Sequence, residues 1–366
     1  MADEQNNRGA FMIQEYYCRI MDAPAYARIC TALAQGLNRD SAVGTRVVDW
    51  LGEPTRDALP LRLIGGLHAL VLAGRDPGLS AVFEGSVTDP EAIEAVLART
   101  LIAHDAELMP WLDSPPQTNE PGRSAALMTG LLEVARRHGP RLEIIEIGSS
   151  AGLNLMIDRY RFDLGGTLIG PETAPITIIP EWHGPPAPDV PIEIMSTRGC
   201  DIQPIDATEP VAEARLTAYV WAEKPDRIAR LKTAIAMLRD RPVQLERADA
   251  ADWVEARLAE PQREGVTRVL MHSVVWQYLP ETVAERIRTA MKAAGDRATA
   301  ERPLGWVTME PDRALAHQVV RVRTWPGDGT AQIVATAHAH AAWIRTGPPE
   351  AGGVGIDLPV AAKISI

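Results

Sequence analysis

At Gly139 the hydrophobic pattern of the chain changes period, so the stretches before and after it fold by different rules. Before Gly139, apolar residues recur at steps of three and four, the spacing of one helical face. Phe11, Ile13, Tyr16, Tyr17, Ile20 and Met21 form one stripe, and Tyr26, Ile29, Cys30, Leu33, Ala34 and Leu37 the next. Asp22 offers an N-cap between them, and Pro24 suits a first helical turn. Further stripes run through Leu61–Leu72 and through Ile93, Val96, Leu97, Leu101, Leu108 and Trp111. After Gly139, short β-rich runs alternate with helical stripes, which implies a parallel sheet covered by helices. The expected organisation is an all-helical N-terminal domain over 1–120, an α/β domain over 121–346 and a tail over 347–366.

The α/β stretch begins with Leu142-Glu-Ile-Ile-Glu-Ile147, a β-rich run closed by a glycine turn. A helix carrying Leu153, Met156, Ile157 and Tyr160 is predicted to follow at once. Seven prolines fall between Pro171 and Pro191. Proline lacks a ladder donor and fixes φ, so 160–195 reads as an inserted hairpin or lid, with Trp182 and His183 on it. Strands are predicted at Ile192–Met195, running on toward Ile202, and at Val243–Glu246, Val269–Val275 and Gly305–Met309. Helices are predicted at Asp226–Leu238, Val254–Leu258 and Glu281–Ala294. Two final strands, Val319–Arg323 and Ile333–Ala339, are joined through Trp325-Pro-Gly-Asp-Gly329, a turn composition. This order resembles that of class I methyltransferases. The resemblance implies a Rossmann-like, mostly parallel sheet with an antiparallel last strand.

The string Glu146-Ile-Gly148-Ser-Ser150-Ala-Gly152 carries the most chemistry. Glycines let a backbone pass close to a ligand, and a helix N-terminus behind them presents free N–H groups. The string resembles motif I of class I S-adenosylmethionine-dependent methyltransferases, an acid followed by G-x-G-x-G, with Ser150 at the middle glycine. That resemblance implies that Gly148 and Gly152 line the cofactor and that Glu146 orients the turn. The same residues also spell G-x-S-x-G, the nucleophile elbow of hydrolases, with Ser150 as nucleophile and Asp249 or Glu310 with His340 as partners. A ligand-free structural turn is the third reading.

Later residues bear on these readings. Asp201 ends a strand and resembles the acid that accepts both ribose hydroxyls, work suited to an acceptor-only carboxylate. Asp163 is the alternative ribose acid. Asp249 matches the position that holds the adenine amino group, and equally reads as a helix N-cap. His272 and Ser273 end the fourth strand, with Gln277 and Tyr278 a turn later; strand carboxyl ends are where open α/β sheets bind ligands. His272 is a candidate general base, because its charge changes near neutrality, and Glu310 is a second candidate. Ser273, Gln277, Tyr278 and His340 are candidate pocket residues. Arg123, in the polar loop Pro116–Arg123, is suited to pairing with a cofactor carboxylate. Asn119 in the same loop is a candidate cofactor contact or, with Thr118 and Glu120, a cap residue. His338 and His340 share a strand face, too few ligands to call a metal site.

The strings Gln117-Thr-Asn-Glu-Pro-Gly-Arg123, Gly148-Ser-Ser-Ala-Gly-Leu-Asn-Leu155, Arg198-Gly-Cys-Asp-Ile-Gln-Pro-Ile-Asp206, Tyr219-Val-Trp221 and His272-Ser-Val-Val-Trp276 together resemble an uncharacterised bacterial family, domain-of-unknown-function family 2332. The resemblance runs from about Tyr26 to Trp343 and implies a methyltransferase-like fold. The family's usual Pro-His-Gly reads Ala339-His340-Ala341 in this chain. Composition bounds the function. The 366 residues suit about two domains, and 46% hydrophobic with 23% charged residues excludes a disordered chain. The first 120 residues carry 9 basic and 17 acidic residues, the other 246 carry 28 and 31, so the acidic third disfavours a nucleic-acid clamp. No apolar run suits a membrane span, the opening residues read as no signal peptide and none is expected, and Cys18, Cys30 and Cys200 are too scattered for a disulfide framework. The expectation is therefore a cytoplasmic methyltransferase using S-adenosylmethionine on a small molecule. A non-catalytic module of the same fold and a serine hydrolase stand as alternatives.

Overall fold

A computed structural model gives the chain over residues 3–312, 314–315 and 317–347. From residue 348 on, the expected C-terminal tail lies outside the described residues. The chain divides into two compact units. Among the described residues, the first holds the chain up to Thr118 together with Glu209–Ala229, and the second holds Asn119–Thr208 and 230–347. The boundary expected at residue 120 thus falls two residues earlier. The return of 209–229 to the first unit had no signal in the periodicity.

The first unit is helical: Glu4–Ile20, Pro24–Gly36, Ala42–Val48, Leu59–Leu72, Pro77–Phe83, Pro90–Ala103, Asp105–Leu108 and Pro210–Ala218. Asp3, Ser41, Asp76 and Asp89 each cap one of these helices, accepting a backbone N–H from the first turn. A carboxylate there satisfies an orphan donor and opposes the helix dipole, which gives part of the local acidity a structural role. Asp22 is not a cap: Ala23 precedes the second helix, and Asp22 sits in the turn at φ +55°. The core gathers Tyr26, Ile29, Leu33, Leu59, Leu63 and Leu67. Trp221, just past helix Pro210–Ala218, joins that core with its ring 5.6 Å from Tyr26.

The second unit is α/β. Its strands are β1 (Arg141–Ile147), β2 (Arg161–Leu164), β3 (Thr167–Ile169), β4 (Thr177–Ile178), β5 (Glu181–His183), β6 (Glu193–Asp201), β7 (Gln244–Arg247), β8 (Thr267–Ser273), β9 (Leu304–Asp312), β10 (His317–Trp325), β11 (Gln332–Ala337) and β12 (Trp343–Thr346). Nine strands form one sheet in the order β5-β12-β11-β10-β9-β8-β1-β6-β7, and β3-β2-β4 form a small second sheet. The five strands from β9 to β7 are parallel. The chain leaves β1 toward β6 and β7 on one side, then returns to build β8 and β9 on the other. The strand order therefore reverses at β1.

Beyond β9 the sheet is an antiparallel meander through β10, β11 and β12. The strand after β9 turns straight back beside it and does not insert further along. β5 pairs with β12, so Trp182 and His183 lie on an edge strand of the main sheet and not on a lid. Helix Arg123–His138 packs on one face, where Gly130 leaves no room for a Cβ: Val307 Cγ1 stands 2.5 Å from that point. On the other face, Ile145, Ile147, Leu270 and Trp306 pack with Trp253, Val254, Ile287 and Met291 of helices Ala250–Ala259 and Glu281–Gly295. The helix expected over Leu153–Tyr160 is only a 3-10 turn, Leu153–Met156. The Tyr160 hydroxyl donates to the Leu153 carbonyl, and the Ile157 amide turns to Asn154 instead. Among the described residues no helix is long and apolar enough to cross a membrane.

Candidate functional site

The site candidates fall in the second unit, and Glu146, the glycine turn, Asp201, Asp249, His272, Ser273 and Glu310 lie at or just past the carboxyl ends of its parallel strands. The glycine turn leaves β1 with Gly148 at φ +66°, Ser150 at +54° and Gly152 at +77°. Two of these left-handed positions are glycine, which meets no steric penalty there; Ser150 is strained. A Cβ on Gly148 would stand 2.4 Å from Val275 Cγ2, so the glycine admits the loop that follows β8. The turn is pinned from three sides. Ser149 N–H donates to the Cys200 carbonyl at 3.1 Å, Ser150 N–H to Asp201 Oδ2 at 2.8 Å, and Leu153 N–H to Asn119 Oδ1 at 2.8 Å. Asp201 and Asn119, both expected to touch a ligand, thus shape the turn itself.

Two buried polar atoms at the turn have no hydrogen-bond partner among the described residues: Glu146 Oε2 and Ser150 Oγ. Burial, with the Asp201 charge adding, pushes the Glu146 carboxyl up to about 8, so it is protonated at neutral pH. Asp201 is half-buried, and its Oδ1 accepts the Gln203 N–H at 2.8 Å. Asp163 is placed elsewhere: it closes the β2–β3 hairpin by accepting the Gly166 N–H, away from the main sheet. Asp249 caps helix Ala250–Ala259 by accepting from Ala251 and Asp252, which is the N-cap reading of that residue. Arg123 donates from Nε to the Ala339 carbonyl at 2.9 Å.

The other two candidates meet each other. β8 and β9 run in register from Arg268 with Leu304 to Ser273 with Met309, which places His272 and Glu310 on one sheet face. His272 Nδ1 lies 2.7 Å from Glu310 Oε1. The same Oε1 accepts the backbone N–H groups of Val275 at 3.1 Å and Trp276 at 3.3 Å. Both side chains are buried, and His272 Nε2 and Glu310 Oε2 have no partner among the described residues. The Trp276 ring stacks on the imidazole at 5.0 Å and 17°, and Trp306 stands 6.1 Å away. The sequence named the two residues separately; only the parallel register joins them. Ser273 is buried at the end of β8, whereas Gln277 and Tyr278 are exposed past it.

His340 sits in the β11–β12 turn, where its N–H donates to His338 Nδ1 and Ala341 takes φ +53°. Among the described residues no group of three His, Cys, Asp or Glu side chains is placed to hold a metal. Among the described residues, Ser150 Oγ has no histidine partner of the kind a serine nucleophile takes as its base. Two surface cavities, of about 150 Å³ around Arg28 and Thr31 and about 670 Å³ around Glu285 and Thr289, include none of the candidate residues. No curated protein and no solved structure matches the chain. A family model does match, over residues 8–346, nearly the whole chain. The chain belongs to the family described as an uncharacterized protein conserved in bacteria (DUF2332).

Proposed function

We propose that the second unit is a Rossmann-like, class I methyltransferase-type domain that binds S-adenosylmethionine beside β1, and that the protein methylates a small molecule. The observation that carries this reading is the bond from Ser150 N–H to Asp201 Oδ2. It ties a glycine turn to an acid on the neighbouring strand at the point where the strand order reverses, the place where open α/β sheets bind ligands. The residues fit the cofactor. Each Asp201 oxygen has a second lone pair, so after accepting Ser150 and Gln203 the carboxylate still has acceptor sites for two ribose hydroxyls. Glu146 Oε2 and Ser150 Oγ supply polar atoms at the turn with no partner among the described residues. When bound, the cofactor supplies a methyl group activated on a sulfonium. The chain's contribution is positioning: Asn119 and Asp201 hold the turn, and the loop after β8 packs against Gly148.

One observation favours a second reading, a non-catalytic module of the same fold. The turn runs into a single 3-10 turn, so no helix N-terminus stands behind it. Thermal unfolding with S-adenosylhomocysteine separates the two. Cofactor binding raises the melting temperature of the wild type, since a ligand at a hundred times its Kd stabilises by about 2.7 kcal/mol. Asp201→Ala removes the rise. An unchanged melting temperature at saturating ligand favours the module.

A further inference from the structure

We infer that His272 is a catalytic base that takes the proton of an aromatic hydroxyl on the methyl acceptor; the substrate class rests on the methyltransferase reading above. Glu310 Oε1 lies 2.7 Å from Nδ1 and also collects two backbone N–H donors, so it acts as an acceptor. The Nδ1 nitrogen therefore carries the imidazole proton, and the lone pair is on Nε2. That nitrogen is buried and has no hydrogen-bond partner among the described residues. A histidine serving packing alone gains nothing by leaving a buried acceptor bare. The surroundings are aromatic, with Trp276 stacked on the ring and Trp306 5.6 Å from Trp276, which suits a flat acceptor. Arg288 and Arg323 stand over the two indoles. The loop 274–279 closes over the imidazole and must shift to admit the acceptor. Val274 in that loop holds φ +52°, a strained value for a β-branched residue.

The step balances. As the acceptor oxygen forms its bond to the methyl carbon, the O–H proton passes to Nε2. The carbon–sulfur bond breaks and its electron pair stays on sulfur. The imidazolium, stabilised by Glu310, then returns its proton to solvent.

The test uses the full chain and 4-nitrophenol, whose phenolate absorbs visibly, with S-adenosylhomocysteine present and at a pH where the free phenol is mostly protonated. The wild type draws out a saturable phenolate band. His272→Asn weakens the band about a hundredfold while equilibrium dialysis still shows the probe bound. Glu310→Gln keeps the probe and weakens the band about tenfold, because the imidazolium loses its counter-charge. Should His272→Asn fail to fold, Glu310→Gln carries the test alone. No band in the wild type, or a full band in either variant, overturns the inference. Calorimetry with S-adenosylhomocysteine reads the cofactor separately, so a band without cofactor binding fells the methyltransferase reading and leaves the base standing.

Discussion

Gly148 shows how one residue serves both fold and site. Its φ is +66°, and Val275 Cγ2 stands 2.4 Å from where a Cβ would be. Gly148→Ala meets strain and clash together and costs about 2–4 kcal/mol, measurable by urea unfolding. It also pushes the loop 274–279 away, so cofactor affinity falls with stability. Glu146 makes a different prediction. Its carboxyl ionises near 4.5 in the unfolded chain and near 8 in the folded one. Between those values the folded chain holds the extra proton. The contribution is therefore full below the unfolded value and is lost as pH rises through the folded one. Stability falls across that window by up to about 1.4 kcal/mol per pH unit. Glu146→Gln flattens the slope in unfolding curves taken at several pH values; an unchanged slope contradicts the burial argument. The sequence located both residues from the glycine string. It could not show that Asp201 and Asn119 bond to that turn, because the contacts cross 51 and 34 residues of chain.

Among the elements, the legible ones were those with a local cause. Period-three-and-four stripes gave the longer helices of the first unit, Glu4–Ile20, Pro24–Gly36, Leu59–Leu72 and Pro90–Ala103, and β-rich runs gave the central strands. Elements set by tertiary partners were not legible. The helix expected after Gly152 stops at Met156 because the Tyr160 hydroxyl occupies the Leu153 carbonyl. β5 and β12 are short; β12 lies between β11 and β5, and β5 is held only along β12. Asp249 accepts the first free N–H groups of helix Ala250–Ala259, so Asp249→Ala costs about 1 kcal/mol of stability. Chemical unfolding checks the loss. Calorimetry with S-adenosylhomocysteine tests the cap assignment: unchanged cofactor affinity supports it, and a tenfold loss restores the adenine role.

For the molecule as a whole, the helical third is not a continuous stretch of sequence. Trp221 packs on Tyr26, and Tyr219 stands 2.5 Å from where a Cβ on Gly65 would be. A fragment ending at Thr118 lacks both rings and part of the core. It unfolds without a cooperative transition in circular dichroism, whereas the whole chain melts cooperatively; a cooperative fragment would show that residues 209–229 are dispensable to that core. The acidity of that third, partly spent on helix caps, describes its own folding and not the substrate. On the reading proposed above, the second unit binds its cofactor where the strand order reverses at β1 and a glycine turn and an acid are joined across the reversal. Isothermal titration of the full chain with S-adenosylmethionine tests it most directly. The prediction is saturable binding of one cofactor per chain, lost in Asp201→Ala; no heat at millimolar cofactor contradicts it.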